Sequence, residues 1–269
     1  MNHINTDLLL SDEEHLALPK EIRQKVPYLY SFECNGQILF YFGSKHVMDP
    51  KHPQFEFLHE KWQDFLQKTS GTKSIVIYEG VANINRQATL KEVIEKYGES
   101  GAIVYWANQE HLPCFRPEPT IEYEVEKLLK EFSKVEVFYF YIIRGIVTWQ
   151  RTVIRKEFDE YIRVSIKHYQ DVFNWSNFDF SFDTVKKMHK QIFGKEFDLN
   201  DKEYIAKIPS PSFEMSRINE IARRSSTIRD IAILEHIGKY WSEGYNIFIV
   251  YGSNHARKQE RAIKDMVEA

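Results

Sequence analysis

The stretch NIFIVYGSNH, residues 246–255, decides the fold of this chain. Its core, Ile-Phe-Ile-Val, is purely apolar and predicts a buried strand, and a helix is predicted from about Ala256. Gly252 and Ser253 connect the strand to that helix. A buried strand that leads into a helix is typical of open α/β sheets, whose ligand sites lie at the carboxyl ends of the strands. We therefore expect His255, which ends the stretch, to lie at such a site.

The same pattern occurs near the other end of the chain, in ILFYFGSKH, residues 38–46. A hydrophobic run again leads to a turn, in which Gly43 permits a tight bend and Ser44 can cap a helix or bond a ligand. His46 then projects from the end of a strand with two usable nitrogens. One such match is commonly just a surface turn. Two matches, both after apolar strands, predict that His46 and His255 face one pocket.

The rest of the chain alternates strands with helices, which favours a layered α/β fold. Asn35 and Gly36 separate two apolar runs and predict a hairpin, because both residue types tolerate positive φ. The β-branched run 74–78 predicts a further buried strand. Helices are predicted after Pro53, over 89–97 and over 99–111.

The middle of the chain, about 121–211, has few glycines and no strand alternation, which predicts a helical insertion. Its aromatic run 138–141 fits either a strand or a helix. Pro209 and Pro211 end the insertion as helix breakers. A long helix is predicted after it, from about 216 to 242.

Three charged residues accompany the two histidines. Glu79 follows the strand 74–78 directly and would lie at the same sheet edge if that strand is parallel to the other two. Glu118 stands between two prolines, which fix its backbone and aim its side chain. Arg229 belongs to a charged segment of the long helix, where a solvated face is the default interpretation. The two acids also fit ordinary exposed loop positions.

Together these residues resemble the motifs of the TraB/Tiki superfamily, which is related to the erythromycin esterases and to the haem-binding ChaN proteins. The mark of that superfamily is a pair of Gly-x-x-His motifs near opposite ends of the domain, with an acid between them and a late arginine. The resemblance spans roughly residues 28–266, although the motifs occupy only a few short stretches. It implies a three-layer α/β/α core with a mixed or mostly parallel sheet. It also implies that four side chains share one cleft: His46, Glu79, Arg229 and His255.

These residues predict a hydrolase of ester, lactone or peptide bonds, in one of two forms. In the metal form, His46, Glu79 and His255 hold a divalent ion, namely Mn, Co or Zn, with an open position for a water whose pKa the ion lowers. In the metal-free form, one histidine is the general base, oriented by Glu79, and the other stabilises the charge that develops. The resemblance leaves both open, because Tiki proteins are described as metal-dependent proteases and erythromycin esterases are thought to act without a metal.

The remaining candidates would bind substrate. Arg229 is predicted to stabilise the oxyanion or to grip a substrate carboxylate. Ser44, Ser253 and Glu118 are predicted substrate-binding residues. Neither serine lies in a Gly-x-Ser-x-Gly elbow, so a serine nucleophile is the weaker interpretation.

A non-catalytic role is the alternative hypothesis. Histidines and aromatic residues can also bind haem, a metal or a peptide without turnover. A regulatory protein with a vestigial site would show the same motifs. The sequence leaves these roles open.

The composition excludes other classes of function. The chain has 269 residues, with 36 Lys and Arg against 39 Asp and Glu, so its net charge of −3 does not suggest a nucleic-acid binder. Cys34 and Cys114 are too few for a disulfide framework and suit a reducing compartment. No apolar run approaches the roughly 20 residues that span a bilayer. We expect a soluble cytoplasmic protein that acts on a small molecule or peptide and has no membrane partner.

Overall fold

The structure, a computed structural model, describes residues 4–80, 82–85, 87–153 and 155–269. Its helices and strands, in chain order, are a 3₁₀ turn (Thr6–Leu8), α1 (Asp12–Ala17), α2 (Lys20–Arg23), β1 (Tyr28–Cys34), β2 (Gln37–Ser44), α3 (Gln54–Lys68), β3 (Ser74–Tyr78), α4 (Leu90–Gln109), β4 (Cys114–Phe115), α5 (Ile121–Leu128), α6 (Lys134–Arg151), α7 (Phe158–Phe173), α8 (Phe182–Phe193), α9 (Lys202–Lys207), α10 (Arg217–Ser242), β5 (Asn246–Gly252) and α11 (Ser253–Glu268).

The chain forms two compact units. The first contains the residues up to Glu118 together with Asp230–Ala269, and the second is Pro119–Arg229. Helix α10 therefore begins in one unit and ends in the other. The predicted insertion, 121–211, lies inside the second unit.

The described residues of the first unit form a five-stranded mixed sheet in the order β1-β2-β5-β3-β4. The hairpin of β1 and β2 is antiparallel, as predicted, and its turn residues Asn35 and Gly36 have φ of 51° and 79°. The other pairs are parallel. β5 is the central strand, and all of its residues are buried.

Alternate side chains of β5 point into two different apolar layers, as the period of a strand requires. Ile247 and Ile249 pack with α10 and α11 on one face of the sheet. Phe248 and Val250 pack with α3 and α4 on the other face. The predicted three-layer α/β/α core is therefore confirmed.

Helix α4 contains a sharp break. It begins with a capping box in which Thr89 and Glu92 satisfy each other's backbone N–H groups. Gly98, with φ 60° and ψ −140°, then interrupts the helical backbone. The sequence predicted two helices divided at this glycine.

The second unit consists of helices packed around an aromatic core. The run 138–141, for which strand and helix both remained open, lies in α6 and is buried. α6 begins at a capping box made by Ser133 and Glu136. Phe138 makes edge-to-face contacts with Phe178 and Phe180 at centroid distances of 5.4 and 5.3 Å. Edge-to-face packing of this kind stabilises a core beyond the burial of the ring area.

Within the part of the chain that the structure describes, no helix has both the length and the apolar character needed to cross a membrane.

Candidate functional site

Three parallel strands bring the predicted residues to one edge of the sheet. β2 and β3 lie on either side of β5 and run in the same direction. Ser44 is opposite Gly252 in the first pair, and Tyr78 is opposite Val250 in the second. The carboxyl ends of all three strands therefore meet, which is the condition on which the prediction for Glu79 depended.

Glu79 lies between the two histidine turns and is tied to β5 at two points. Its backbone N–H donates to the carbonyl of Val250 at 3.1 Å. Its Oε2 accepts the backbone N–H of Gly252 at 2.7 Å. The carboxylate is 13% exposed, so it is mostly shielded from solvent but still reachable. The hydrogen bond from a backbone N–H fixes the orientation of its two oxygens.

The two imidazoles flank this carboxylate, as the paired turns predicted. His46 Nε2 lies 3.7 Å from Glu79 Oε2, and His255 Nε2 lies 3.8 Å from Glu79 Oε1. Both distances exceed a direct hydrogen bond and lie within the range of an ion pair. The structure thus brings together three of the four predicted catalytic side chains.

His46 is held from behind by a second glutamate. Its Nδ1 lies 2.5 Å from Glu99 Oε1. The same oxygen accepts the hydroxyl of Ser44 at 3.1 Å. Glu99 is buried, whereas the His46 side chain is 46% exposed. The imidazole is therefore anchored at Nδ1 and open to solvent on another side.

His255 is held in the same way by an aspartate. Its Nδ1 lies 2.6 Å from Asp230 Oδ1, which also accepts the Gln259 amide at 2.6 Å. Lys258 Nζ lies 3.6 Å from the other oxygen. Burial alone raises the pKa of Asp230. The charge and hydrogen bond of His255, followed by Lys258 and Gln259, outweigh burial and leave that pKa below its ordinary value. Asp230 is therefore an ionised acceptor at neutral pH.

The loop that carries His46 is fixed by one buried amide. Gln54, at the start of α3, accepts the backbone N–H of Lys45 at 2.8 Å and donates to the carbonyl of Lys45 at 2.9 Å. This reciprocal pair replaces the strand hydrogen bonds that end at Ser44. The turn is therefore ordered although it is not helical.

The glycine that ends β5 makes room for the first histidine. A Cβ placed on Gly252 would lie 2.9 Å from His46 Nε2 and 3.2 Å from Glu79 Oε2. A Cβ contact under 3.0 Å forces a neighbouring atom to shift, which is cheap only when that atom is at the far end of a flexible side chain. A glycine at this position therefore allows the imidazole to approach the end of the neighbouring strand.

The remaining predicted residues have different positions. Glu118 Oε2 accepts the backbone N–H of Gly80 at 3.2 Å, so this carboxylate supports the loop that follows Glu79. Ser44 is buried, and its single hydroxyl hydrogen faces two acceptors, Glu99 Oε1 at 3.1 Å and the carbonyl of Tyr251 at 3.2 Å. Ser253 is buried at the first position of α11. Their substrate-binding roles stay predictions.

Arg229 is the last residue of the second unit and is buried. Its predicted place beside the imidazoles stays a prediction.

Sequence reasoning gave no role to two residues of the site, although Asp230 adjoins Arg229 in the late helix that carries the family resemblance. Glu99 follows Gly98, and a glycine inside a helical pattern is a signal for a break that re-aims the next side chain. Asp230 precedes Leu234 and Ile237 at helical spacing, so it occupies the apolar stripe of α10. A charged residue on an apolar stripe is a signal for a buried, paired group.

The predicted metal ligands have suitable chemistry. Two imidazoles and one carboxylate form a common ligand set of catalytic zinc, and carboxylates behind the imidazoles often orient such ligands. Within the described ranges, however, no group of three or more His, Cys, Asp or Glu is placed to hold a metal ion. The divalent ion therefore stays a prediction, and the steps proposed below use only the chain's own groups.

Comparison of the chain with family models, with curated proteins and with solved structures finds no match. The function must therefore be argued from the geometry of the site.

Proposed function

We propose that the chain is a hydrolase of ester, lactone or peptide bonds, as a member of the TraB/Tiki superfamily would be. One observation carries the proposal: the Nε2 atoms of His46 and His255 lie within 4 Å of the two oxygens of one carboxylate, Glu79. Two imidazoles and an acid at the carboxyl ends of parallel strands provide a base, an acid and a charge partner for one reacting group.

The exposure of the imidazoles supports His46 as the group that meets substrate. The side chain of His46 is 46% exposed and that of His255 is 8% exposed. In the proposed reaction, His46 Nε2 takes a proton from water while the water oxygen bonds to the carbonyl carbon. The imidazolium then returns that proton to the leaving oxygen or nitrogen as its bond to the carbonyl carbon breaks. The step consumes one water and needs no other reactant.

Glu79 and His255 support this cycle electrostatically. The carboxylate of Glu79 stabilises the positive charge that His46 gains when it takes the proton. His255, when protonated, donates from Nε2 toward the negative oxygen that forms on the substrate. General acid–base catalysis of this type contributes about 10²- to 10⁴-fold to a rate.

The experiment is a hydrolase screen on purified protein with ester, lactone and peptide substrates. We expect His46→Ala and His255→Ala each to lower kcat/KM by at least about 10²-fold. His168→Ala, an exposed helical position in the second unit, is the matched control and should leave the rate unchanged. Retention of full activity in both site variants would contradict the proposal. Elemental analysis of the same samples separates the metal form from the metal-free form.

A further inference from the structure

A buried carboxylate stands behind the exposed imidazole, and the break in α4 delivers it there. Gly98 leaves the helical conformation, and Glu99 follows it at the start of the second helical segment. Glu99 is 4% exposed. Burial of a carboxylate is costly unless hydrogen bonds compensate it. The partners of Glu99 are His46 and Ser44, which both belong to the first histidine turn.

The contacts of this carboxylate indicate which ring nitrogen of His46 carries the hydrogen. Glu99 Oε1 lies 3.1 Å from the Ser44 hydroxyl, whose single hydrogen it shares with the carbonyl of Tyr251. His46 Nδ1 lies 2.5 Å from the same oxygen. A glutamate side chain is ordinarily a carboxylate at neutral pH, and a carboxylate only accepts hydrogen bonds, so this contact assigns the donor hydrogen to the Nδ1 of His46. The Nε2 of the neutral ring then holds the lone pair.

The tautomer of His255 follows from the same argument, applied to the hydrogen bonds of Asp230. Asp230 Oδ1 accepts from Gln259, and Lys258 faces Oδ2, so Asp230 is also an acceptor. His255 Nδ1 must therefore donate to it across 2.6 Å. The Nε2 of His255 is again the atom that faces Glu79.

We propose that Glu99 and Asp230 are positioning residues that hold His46 and His255 in the Nδ1–H tautomer, with both Nε2 atoms aimed at Glu79. The role assigned to them rests on the proposed hydrolase function, whereas the tautomer itself can be observed without any activity. Neither residue touches the reacting group. Each acts through the imidazole that it orients, as an acid behind a catalytic histidine does.

The test uses long-range ¹H–¹⁵N NMR spectra of the imidazole rings in the full chain. We expect the neutral rings of His46 and His255 to show the Nδ1–H tautomer in the wild type, which tests Asp230 without a variant. In Glu99→Gln, the amide N–H₂ can donate to Nδ1, so we expect His46 to change to the Nε2–H tautomer while His255 keeps its own. A wild-type spectrum with the Nε2–H tautomer at either ring would overturn the proposal for that ring.

Kinetics separate positioning from mere structural support. We expect Glu99→Gln to lower kcat by 10²- to 10⁴-fold with KM changed less than threefold, because the ring stays in place but presents the wrong nitrogen. Glu99→Asp, which keeps the acceptor, should recover part of kcat and the wild-type tautomer. Glu95→Gln on the same helix, where Glu95 is partly exposed and paired with Lys91, is the matched control. An unchanged tautomer and kcat in Glu99→Gln would overturn the proposal.

The two proposals fail in different ways. If no substrate is turned over, the proposed function fails while the ring spectra still decide the tautomers. If the protein is active but Glu99→Gln keeps the wild-type spectrum, positioning by Glu99 fails and the hydrolase stands.

Discussion

The two Gly-Ser-x-His turns have the same sequence pattern and different structures. After Ser44 the chain continues as an irregular loop, and His46 stands half in solvent. After Gly252 the chain enters α11 at once, and His255 lies buried in its first turn. The pattern therefore specifies the end of a strand and the position of an imidazole, but not the backbone that follows.

In each turn the Nδ1 of the imidazole contacts a carboxylate. The two carboxylates come from helices on opposite faces of the sheet. Glu99 belongs to α4, which packs on the same face of the sheet as α3. Asp230 belongs to α10, which packs on the face of α11. Each helical layer therefore contributes one anchor to the site. The two anchors differ in their surroundings, since Asp230 has a buried lysine beside it.

The largest expected difference between the turns is the stability lost when the carboxylate that anchors each imidazole is removed. Asp230→Ala removes the buried acceptor of His255 and one of two carboxylates beside Lys258, which keeps Asp12 at 2.9 Å, so we expect a loss of about 3 kcal/mol in the free energy of unfolding. Glu99→Ala leaves His46, which water can reach, so we expect a loss of about 1 kcal/mol. Urea denaturation measures both. Equal losses would show that the stability lost does not depend on how exposed the partners of the removed carboxylate are.

Acid should destabilise the fold through His15, a buried histidine near α11, the helix in which the second turn continues. His15 is buried against α11, and burial, followed by the charges of Lys258, Arg257 and Arg23, lowers its pKa to about 4, with Asp12 opposing the shift. Below pH 6.5 the unfolded chain binds a proton at His15, whereas the folded protein does so only near pH 4. The free energy of unfolding is therefore highest above pH 6.5 and falls as the pH decreases toward 4. We expect a loss on the order of 3 kcal/mol across that window.

His15→Gln is the control for this acid response. Urea denaturation at several pH values should give a wild-type curve that falls more steeply between pH 6.5 and 4 than the curve of the variant. Parallel curves would contradict the prediction.

The smallest expected effect is the difference in stability between Gly43→Ala and Gly252→Ala. A Cβ on Gly43 would lie 2.6 Å from the carbonyl of Tyr28 and 2.8 Å from Ala256 Cβ, so Gly43→Ala should cost about 1 to 3 kcal/mol. A Cβ on Gly252 meets mainly the movable ring of His46, so Gly252→Ala should cost under about 1 kcal/mol and reduce activity instead. Thermal unfolding beside an activity assay checks both. A larger stability loss at Gly252 would reverse the comparison.

The sequence predicted those parts of the fold that depend on local signals. Asn35 and Gly36 predicted the hairpin because positive φ is a property of the residues themselves. Gly98 divided the predicted helices where the backbone breaks. The strand ends that carry His46 and His255 followed from hydrophobic runs that stop at glycine.

The parts that depend on packing could not be read from the sequence. The second unit contains the predicted insertion and extends to Arg229, because the first half of α10 packs into its core through Ile218 and Ile221. The second half of the same helix packs on the sheet, beginning at Ile233. The anchoring carboxylates also depend on which helix reaches which strand end. Asp230 and Glu99 stand far from the turns in sequence, so spacing cannot connect them.

The central strand of the sheet is also the last strand in the chain. While the polypeptide emerges from the ribosome, β2 and β3 are complete long before β5 can slide between them. His46 and His255 therefore cannot meet before β5 and the first turn of α11 have been synthesised.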